Sequence, residues 1–546
     1  QDTLEFLRAV RQDIIENYEA FLAAKEPQPA PGHPGQDQGL TGEDLLARYE
    51  VNLFVDNAKT EGAPVVIEDH PSHHNLLGCV ERESDFGALY TDHTLIKAGS
   101  IHKALGGFLI LRIDDLAHGA QAWEGLLRTL RSGLCRIEDP TEGEQVRTRT
   151  IEPQPLPLTA KVILVGTDEA YELLLYGDER FQKLFKLKAH LQDHIPRTPE
   201  NELKLIGLLG RIIAEGGLRP FLRDALAALV EQASTLCEDQ SKLTLRLPLL
   251  RELMCEASAL AGIRGRDTVD AVVLRQARDA RQFRANLLEE EYLAEYDREM
   301  IKVATSGSAT GRANGLSVRM YGDFAFGLPH QIACTVGVGH GGILDLEREA
   351  ELGGPIHTKG MMILKSYLVS QFAQDKPVVL TGSLCFEQSY AEVEGDSASG
   401  AELAALLSAL SGAPIDLGLA FTGAVNSSGM IMAVGGVNEK IEGFFEVCRR
   451  RGLTGSQGVL LPRDNVVNLM LKEEVVEAVA QGRFHIHPID CIEQAMEILT
   501  GRPAGQRGPD GAYPEGSLFK LVDERLASLA TLAARWSRGH TLNCEP

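Results

Sequence analysis

At 546 residues, with 44% hydrophobic and 24% charged side chains, the chain is ordinary in composition for a globular protein but too long for one core, and its length predicts three or four domains. A formal net charge of −23 excludes nucleic acid and anionic membrane as default partners, because both are polyanions. Nine scattered cysteines, odd in number and without a CxxC pair, exclude a disulfide framework or zinc ribbon and predict a reduced, cytoplasmic chain. No apolar run reaches membrane-spanning length, and Gln1-Asp2-Thr3 does not read as a secretory signal. The missing initiator Met is read as the mark of a longer natural chain.

In chain order, Leu4, Leu7, Val10, Ile14 and Tyr18 recur at helical spacing, which predicts helix over 1–25. Residues 26–39 are rich in Pro, Gly and Gln and read as a loop, and 45–55 as a helix ending in a strand. From 63 to 199 the pattern is layered α/β. Buried strands are expected at 64–67, 107–111 and 161–166, with helix at 122–132. Residues 200–300 are helical throughout by apolar spacing. A second α/β unit over 301–502 carries strands at 331–337, 377–387, 417–425, 430–434 and 459–462. Helices at 359–374, 400–410, 439–451 and 491–499 alternate with them. A Pro/Gly-rich linker at 501–516 and a helix at 518–536 close the chain, so 503–546 stands apart as linker and terminal helix. Residues 1–62 form a helical segment with its loop.

Two places carry chemistry. In Val393-Glu394-Gly395-Asp396-Ser397-Ala398-Ser399-Gly400, a serine lies among small residues where a helix opens. Unpaired N–H groups and the positive helix end could stabilise an oxyanion there. Taken alone, the same residues read first as an ordinary helix cap. In Gly435-Gly436-Val437-Asn438-Glu439-Lys440, a lysine falls in the first turn of the next helix, where the dipole and burial both disfavour its charge. A neutral lysine can take a serine's proton. Taken alone, this lysine reads first as a solvated surface residue.

With Phe421-Thr422-Gly423, Gly311-Arg312-Ala313-Asn314-Gly315-Leu316 and Leu352-Gly353-Gly354-Pro355-Ile356-His357-Thr358-Lys359-Gly360, these stretches resemble the protease domain of the Lon family, in its archaeal-type and Lon-like branches. The resemblance implies an α+β Lon-type protease domain with Ser397 as nucleophile, Lys440 as general base, and Thr422 helping to orient the lysine. It needs no histidine; Asp396 could hydrogen-bond locally, cap the helix or hold the lysine in an inactive pairing, and the cap is the preferred reading. It also implies a homo-hexamer with the serines facing an internal chamber.

The segment before residue 200 resembles an AAA+ module of the Lon-like type, carried by Thr91-Asp92-His93-Thr94-Leu95-Ile96-Lys97-Ala98-Gly99 and Ile101-His102-Lys103-Ala104-Leu105-Gly106-Gly107-Phe108-Leu109-Ile110-Leu111. Residues 200–300 would be its helical small subdomain. After that Gly-Gly the Walker B carboxylates should follow the strand. Arg112 and Ile113 stand there instead. Asp114 and Asp115 come two residues late, about 6–7 Å further along a strand. No Gly-x-x-x-x-Gly-Lys-Ser/Thr loop occurs in the sequence, and Gly166-Thr167-Asp168 replaces a sensor asparagine. The expectation is a degenerate AAA+ fold and an endopeptidase that cuts unfolded or loosely folded chains without ATP, cofactor or metal. The alternatives are an ATP-dependent Lon protease with an upstream phosphate loop, or a non-catalytic chaperone or scaffold.

Two motifs are set aside. Gly337-Val338-Gly339-His340-Gly341-Gly342 matches a dinucleotide fingerprint but leads into a second strand, so no helix N-terminus meets a pyrophosphate. His70, His73 and His74 lack a fourth ligand and fit the AAA+-like segment.

Overall fold

A computed structural model describes residues 2–23, 49–85, 88–137, 151–389, 392–508 and 511–541. Gln1–His190 and Leu191–Pro546 form two units, each taken by itself.

The first unit opens with helices α1 (Asp2–Glu16) and α2 (Tyr18–Ala23). The helix-to-strand expectation at 45–55 lies partly outside the described residues, and 49–55 form neither element. Strands β1 (Val65–Glu68), β2 (Phe108–Arg112) and β3 (Lys161–Val165) make a parallel sheet in that order, as their Val, Ile and Leu content favours. Gly107 is needed because a Cβ there would lie 1.9 Å from the carbonyl oxygen of Pro64. One face, with Leu109 and Leu111, packs on Leu76 of helix α3 (His73–Leu77), on Leu116 of helix α4 (Ile113–Ala117), and on Ala122 and Leu126 of helix α5 (Ala120–Ser132). On the other face Val65, Ile67, Ile163 and Val165 are exposed. His73 lies on the buried side of α3, whereas His70 and His74 are exposed.

The second unit begins with helices α6 (Pro199–Glu215), α7 (Arg223–Thr235), α8 (Leu247–Ile263), α9 (Ala271–Ala285) and α10 (Leu287–Asp297). Thr198 and Asp270 cap α6 and α9 by accepting from the N–H groups of Asn201 and Val273. Leu205, Leu209, Leu229, Leu250, Met254 and Val273 form the core.

The rest of the unit is built on seven strands: β4 (Arg312–Tyr321), β5 (Phe324–Gly337), β6 (Gly342–Asp345), β7 (Thr381–Phe386), β8 (Leu419–Phe421), β11 (Gly458–Pro462) and β12 (His485–Ile489), with β9 (Ala424–Val425) and β10 (Ile431–Met432) as a separate hairpin. Their order is β6-β7-β5-β4-β8-β11-β12. The β4–β5 and β5–β7 pairs are antiparallel, and β4, β8, β11 and β12 run parallel. Helix α11 (Pro355–Phe372), helix α12 (Ser399–Ser411), helix α14 (Ile492–Thr500) and helix α15 (Leu518–Thr541) share one core, which includes Phe421 and Leu460 of the sheet. Helix α13 (Val437–Arg451) shares another, with Ala420, Val459 and Leu461. Side chains alternate across the strands, so the sheet lies between the two helix layers.

Residues 501–508 and 511–517 are irregular, as their glycines and prolines require, but they are not a free linker: Ala504 and Tyr513 are buried against the core shared by α11, α12, α14 and α15. The long hairpin β4–β5 and strand β12 exceed the sequence expectation. The fingerprint-like glycines run from β5 into β6, as the sequence reading expected.

Candidate active site

Strand β8 ends at Phe421, and the next two residues bind the start of α12. The N–H of Gly423 donates to the carbonyl of Ser397 at 2.8 Å, and the N–H of Gly400 donates to the carbonyl of Gly423 at 3.0 Å. Gly400 cannot be larger, because a Cβ would stand 2.6 Å from the Phe421 ring. The Ser399 hydroxyl accepts from the N–H of Val425 at 3.0 Å. Upstream, the N–H of Gly354 donates to Val393 and that of Val393 to Leu352. The Glu394 carboxylate accepts from the N–H of Ile356 at 3.3 Å, in the first turn of α11. Ser397 is therefore held on both sides by main-chain bonds.

Lys440 arrives from the other helix layer. Gly436, at φ 65°, opens α13 in the left-handed region, where glycine costs least. The helix crosses β5 at backbone contact. A Cβ on Gly443 would lie 2.1 Å from the carbonyl oxygen of Gly327, and one on Gly327 would lie 1.9 Å from that of Glu439. This close approach sinks Lys440 until only 3% of it is exposed.

The two side chains meet: Lys440 Nζ donates to Ser397 Oγ at 3.0 Å. Burial pushes the Lys440 ammonium down to about 8, with Glu439 and Asp396 pulling the other way. A neutral amine at that distance from a hydroxyl can take its proton. Main-chain donors are available as well. The N–H of Ser399 donates to Asp396, whereas those of Ser397 and Ala398 have no partner among the described residues.

Comparison with known proteins gives the family. Three family models match in chain order: a LonB-like AAA domain over 61–192, an archaeal LonB AAA+ ATPase LID domain over 220–284, and the C-terminal proteolytic domain of Lon protease over 390–501. A putative Lon protease homolog of Escherichia coli is 32% identical over 96% of this chain and 85% of its own length. One from Haemophilus influenzae is 33% identical over 79% and 71%. An archaeal Lon protease of Archaeoglobus fulgidus is 27% identical over 83% and 72%. The chain belongs to the Lon protease family.

Within this Lon domain two expectations change. Asp396 does not cap α12. The cap residue is Ala398, with no side-chain bond, and Cβ of Asp396 instead faces Gly360 of α11. The backbone bond from Ser399 to the Asp396 carbonyl takes the place of a side-chain cap. Thr422, wholly buried, donates to the carbonyl of Ser397 at 3.4 Å and makes no hydrogen bond to Lys440. It supports the serine's backbone.

Sequence reasoning missed a buried acidic group behind the serine. His357 on α11 stands 3.4 Å from Asp345 and 3.8 Å from Glu402, which is on the inner side of α12. Glu347 accepts from the N–H of Phe386 at 2.7 Å. Burial raises the Glu402 carboxyl to about 7. Hydrogen bonding to Asp345 and the nearby carboxylates outweigh burial and raise His357. His357 stood inside a motif that was read, but nothing in the sequence pairs it with Glu402.

At the carboxyl edge of the first unit's sheet, the residues present do not fit Mg²⁺ and a nucleotide phosphate. Arg112 ends β2 and is exposed. Ile113 packs onto Gly166, within 2.7 Å of where a Cβ would be. Asp114 and Asp115 are in the first turn of α4, so they do not continue the strand as the sequence reading assumed. Thr167 caps the helix Asp168–Gly177. Among the described residues no helix is long and apolar enough to cross a membrane, and no group of three His, Cys, Asp or Glu is arranged to hold a metal.

Proposed function

We propose that the protein is a serine endopeptidase with Ser397 as nucleophile and Lys440 as general base, acting on unfolded or loosely folded protein chains. The single observation that carries this is the 3.0 Å contact between the buried Lys440 Nζ and the half-buried Ser397 Oγ. Neutral Lys440 takes the hydroxyl proton as Oγ attacks the peptide carbonyl carbon. The N–H groups of Ser397 and Ala398 face the oxyanion at the start of α12. The lysine ammonium then passes its proton to the departing amine, and water releases the acyl group by the same path in reverse. Thr422 and Gly423 hold the Ser397 backbone against the recoil of these steps. The test is casein hydrolysis by the parent and by Ser397→Ala; equal rates would end the assignment.

Cleavage without ATP belongs to the same proposal. It is supported by Arg112 and Ile113 at the end of β2, where metal-binding carboxylates would be needed. The reading it competes with, an ATP-driven protease, draws on the LonB-like AAA match. Measuring phosphate release alongside casein cleavage separates them: ATP hydrolysis that accelerates cleavage would overturn ATP independence. A homo-hexameric ring in the cytoplasm, with the serines facing a chamber, completes the proposal. A monomer by light scattering would remove the ring.

A further inference from the structure

Helix α13 carries Lys440 in its first turn, and that turn is tied to the helical part of the same unit. The tie begins at Glu238, just beyond α7, a non-glycine residue held at φ 49°. The turn is fixed from within by the Asp239 carboxylate, which accepts from the N–H of Ser241 at 2.8 Å. The carbonyl of Glu238 accepts from Asn468 Nδ2 at 2.8 Å. Gln240 reinforces the contact: its N–H donates to Val467 at 2.8 Å and its side-chain amide to Leu469 at 2.8 Å.

From Asn468 two paths reach the lysine's helix. Its main-chain carbonyl accepts from Asn438 Nδ2 at 2.9 Å, and Asn438 Oδ1 accepts from the N–H of Met470 at 2.7 Å. Its side-chain Oδ1 accepts from Asn465 Nδ2 at 3.0 Å. Asn465 in turn binds both the N–H and the carbonyl of Val434, at 2.9 and 3.0 Å, just before the two glycines that lead into α13. Asn438 and Asn465 are both buried, so each must be satisfied inside the protein. Asn438 lies two residues before Lys440. The turn that sets the lysine's position is gripped on both flanks by groups whose shared anchor is a carbonyl of the helical subdomain.

We infer that the helical subdomain is a working part of the proteolytic site: Asn468 and Asn438 are positioning residues that hold Lys440 against Ser397, with the Glu238 turn as their anchor. This rests on the Ser397/Lys440 reading. The charged groups facing Lys440 are Glu439 on its own helix and Asp396 from the serine loop, while Glu238 acts on Glu439. Loosening the first turn of α13 admits water to the amine and restores its charge, so both the geometry and the fraction of active base suffer together.

The experiment is casein cleavage by the full chain as Asn468→Ala and Asn438→Ala, followed from pH 6 to 10. Asn468 is half-buried, so its truncation remains informative where Asn438→Ala fails to fold. For Asn468→Ala we expect kcat to fall about tenfold with KM unchanged, as misplacement of a reacting group does. We also expect the rising limb of the profile, set by deprotonation of Lys440, to move to higher pH. Asn468→Asp keeps the acceptor for Asn465 but loses the donor to Glu238, and should behave like the alanine variant. An unmoved limb, with or without a loss of kcat, overturns the inference, because a merely structural role would not retune the base. Lys440→Ala as active as the parent instead overturns the dyad itself, and the two failures are distinct.

Discussion

Both units bring helix starts to the carboxyl edge of parallel strands, the usual place for a site in α/β folds, yet among the described residues only the second brings a serine and a lysine into contact there. In the protease sheet, glycines at 327, 400 and 443 let helices approach to backbone contact, and that approach buries the lysine beside the serine. In the three-stranded sheet the corresponding strand ends in an exposed arginine, an isoleucine is packed over Gly166, and one face is uncovered. The comparison teaches that architecture supplies the location, while close packing and side-chain identity decide which side chains meet there.

The sharpest break of that comparison is removal of the pair itself. Ser397→Ala and Lys440→Ala should each lower casein cleavage by about 100-fold or more, read as initial rates against the parent. Next is the glycine contact. Gly443→Ala places a Cβ 2.1 Å from the Gly327 carbonyl, and the shift it forces should cost about 1–3 kcal/mol of stability in urea unfolding and most of the activity. If Gly443→Ala keeps parent activity, backbone contact is not what sets the lysine.

A smaller effect concerns pH. With Lys440 titrating at about 8, the neutral fraction and hence kcat/KM should rise roughly tenfold between pH 7 and 9. A flat profile would contradict the role of base. Smaller again is the stability signature of Glu402. Its carboxyl is raised to about 7 in the fold from an ordinary 4.5. The folded chain therefore holds a proton that the unfolded chain has released, and stability should fall as pH rises from about 4.5 to 7, by about 1–3 kcal/mol. Glu402→Gln should remove that fall, as urea titrations at the two pH values would show. The smallest effect is expected at the other edge: Arg112→Asp should change casein cleavage by less than about twofold and confer no ATPase activity, since one carboxylate does not make a metal site. Measurable ATP hydrolysis by that variant would show the edge to be one residue short of function.

Much of this was legible because the motifs combine glycine, small residues and a helix start in fixed order. Helices α12 and α13 and strand β11 lie where apolar spacing put them. The reach of β5 was not legible, because a glycine at 327 and a proline at 329 interrupt the strand pattern before 331. Gly327 is there to admit α13, and Pro329 sits where β5 pairs with β4 but lies beyond the span paired with β7. Strand β12, His485–Ile489, was hidden for a related reason: an edge strand half-exposed along most of its length shows no clean alternation. The candidate pair was legible as two residues, but its contact was not, since it depends on helices entering from opposite faces of the sheet. The direction of the Thr422 hydroxyl, the failure of Asp396 to cap and the His357–Glu402 approach are likewise properties of packing across distant segments.

Helix α15 packs Leu518, Phe519, Val522, Leu526 and Leu529 into the core that also holds α12, the helix opening just after Ser397. Part of the core around α12 is thus made from residues synthesised long after Ser397. A chain still emerging from the ribosome has its serine but not the support that fixes it. Until translation has passed this helix, α12 lacks part of the core in which it packs.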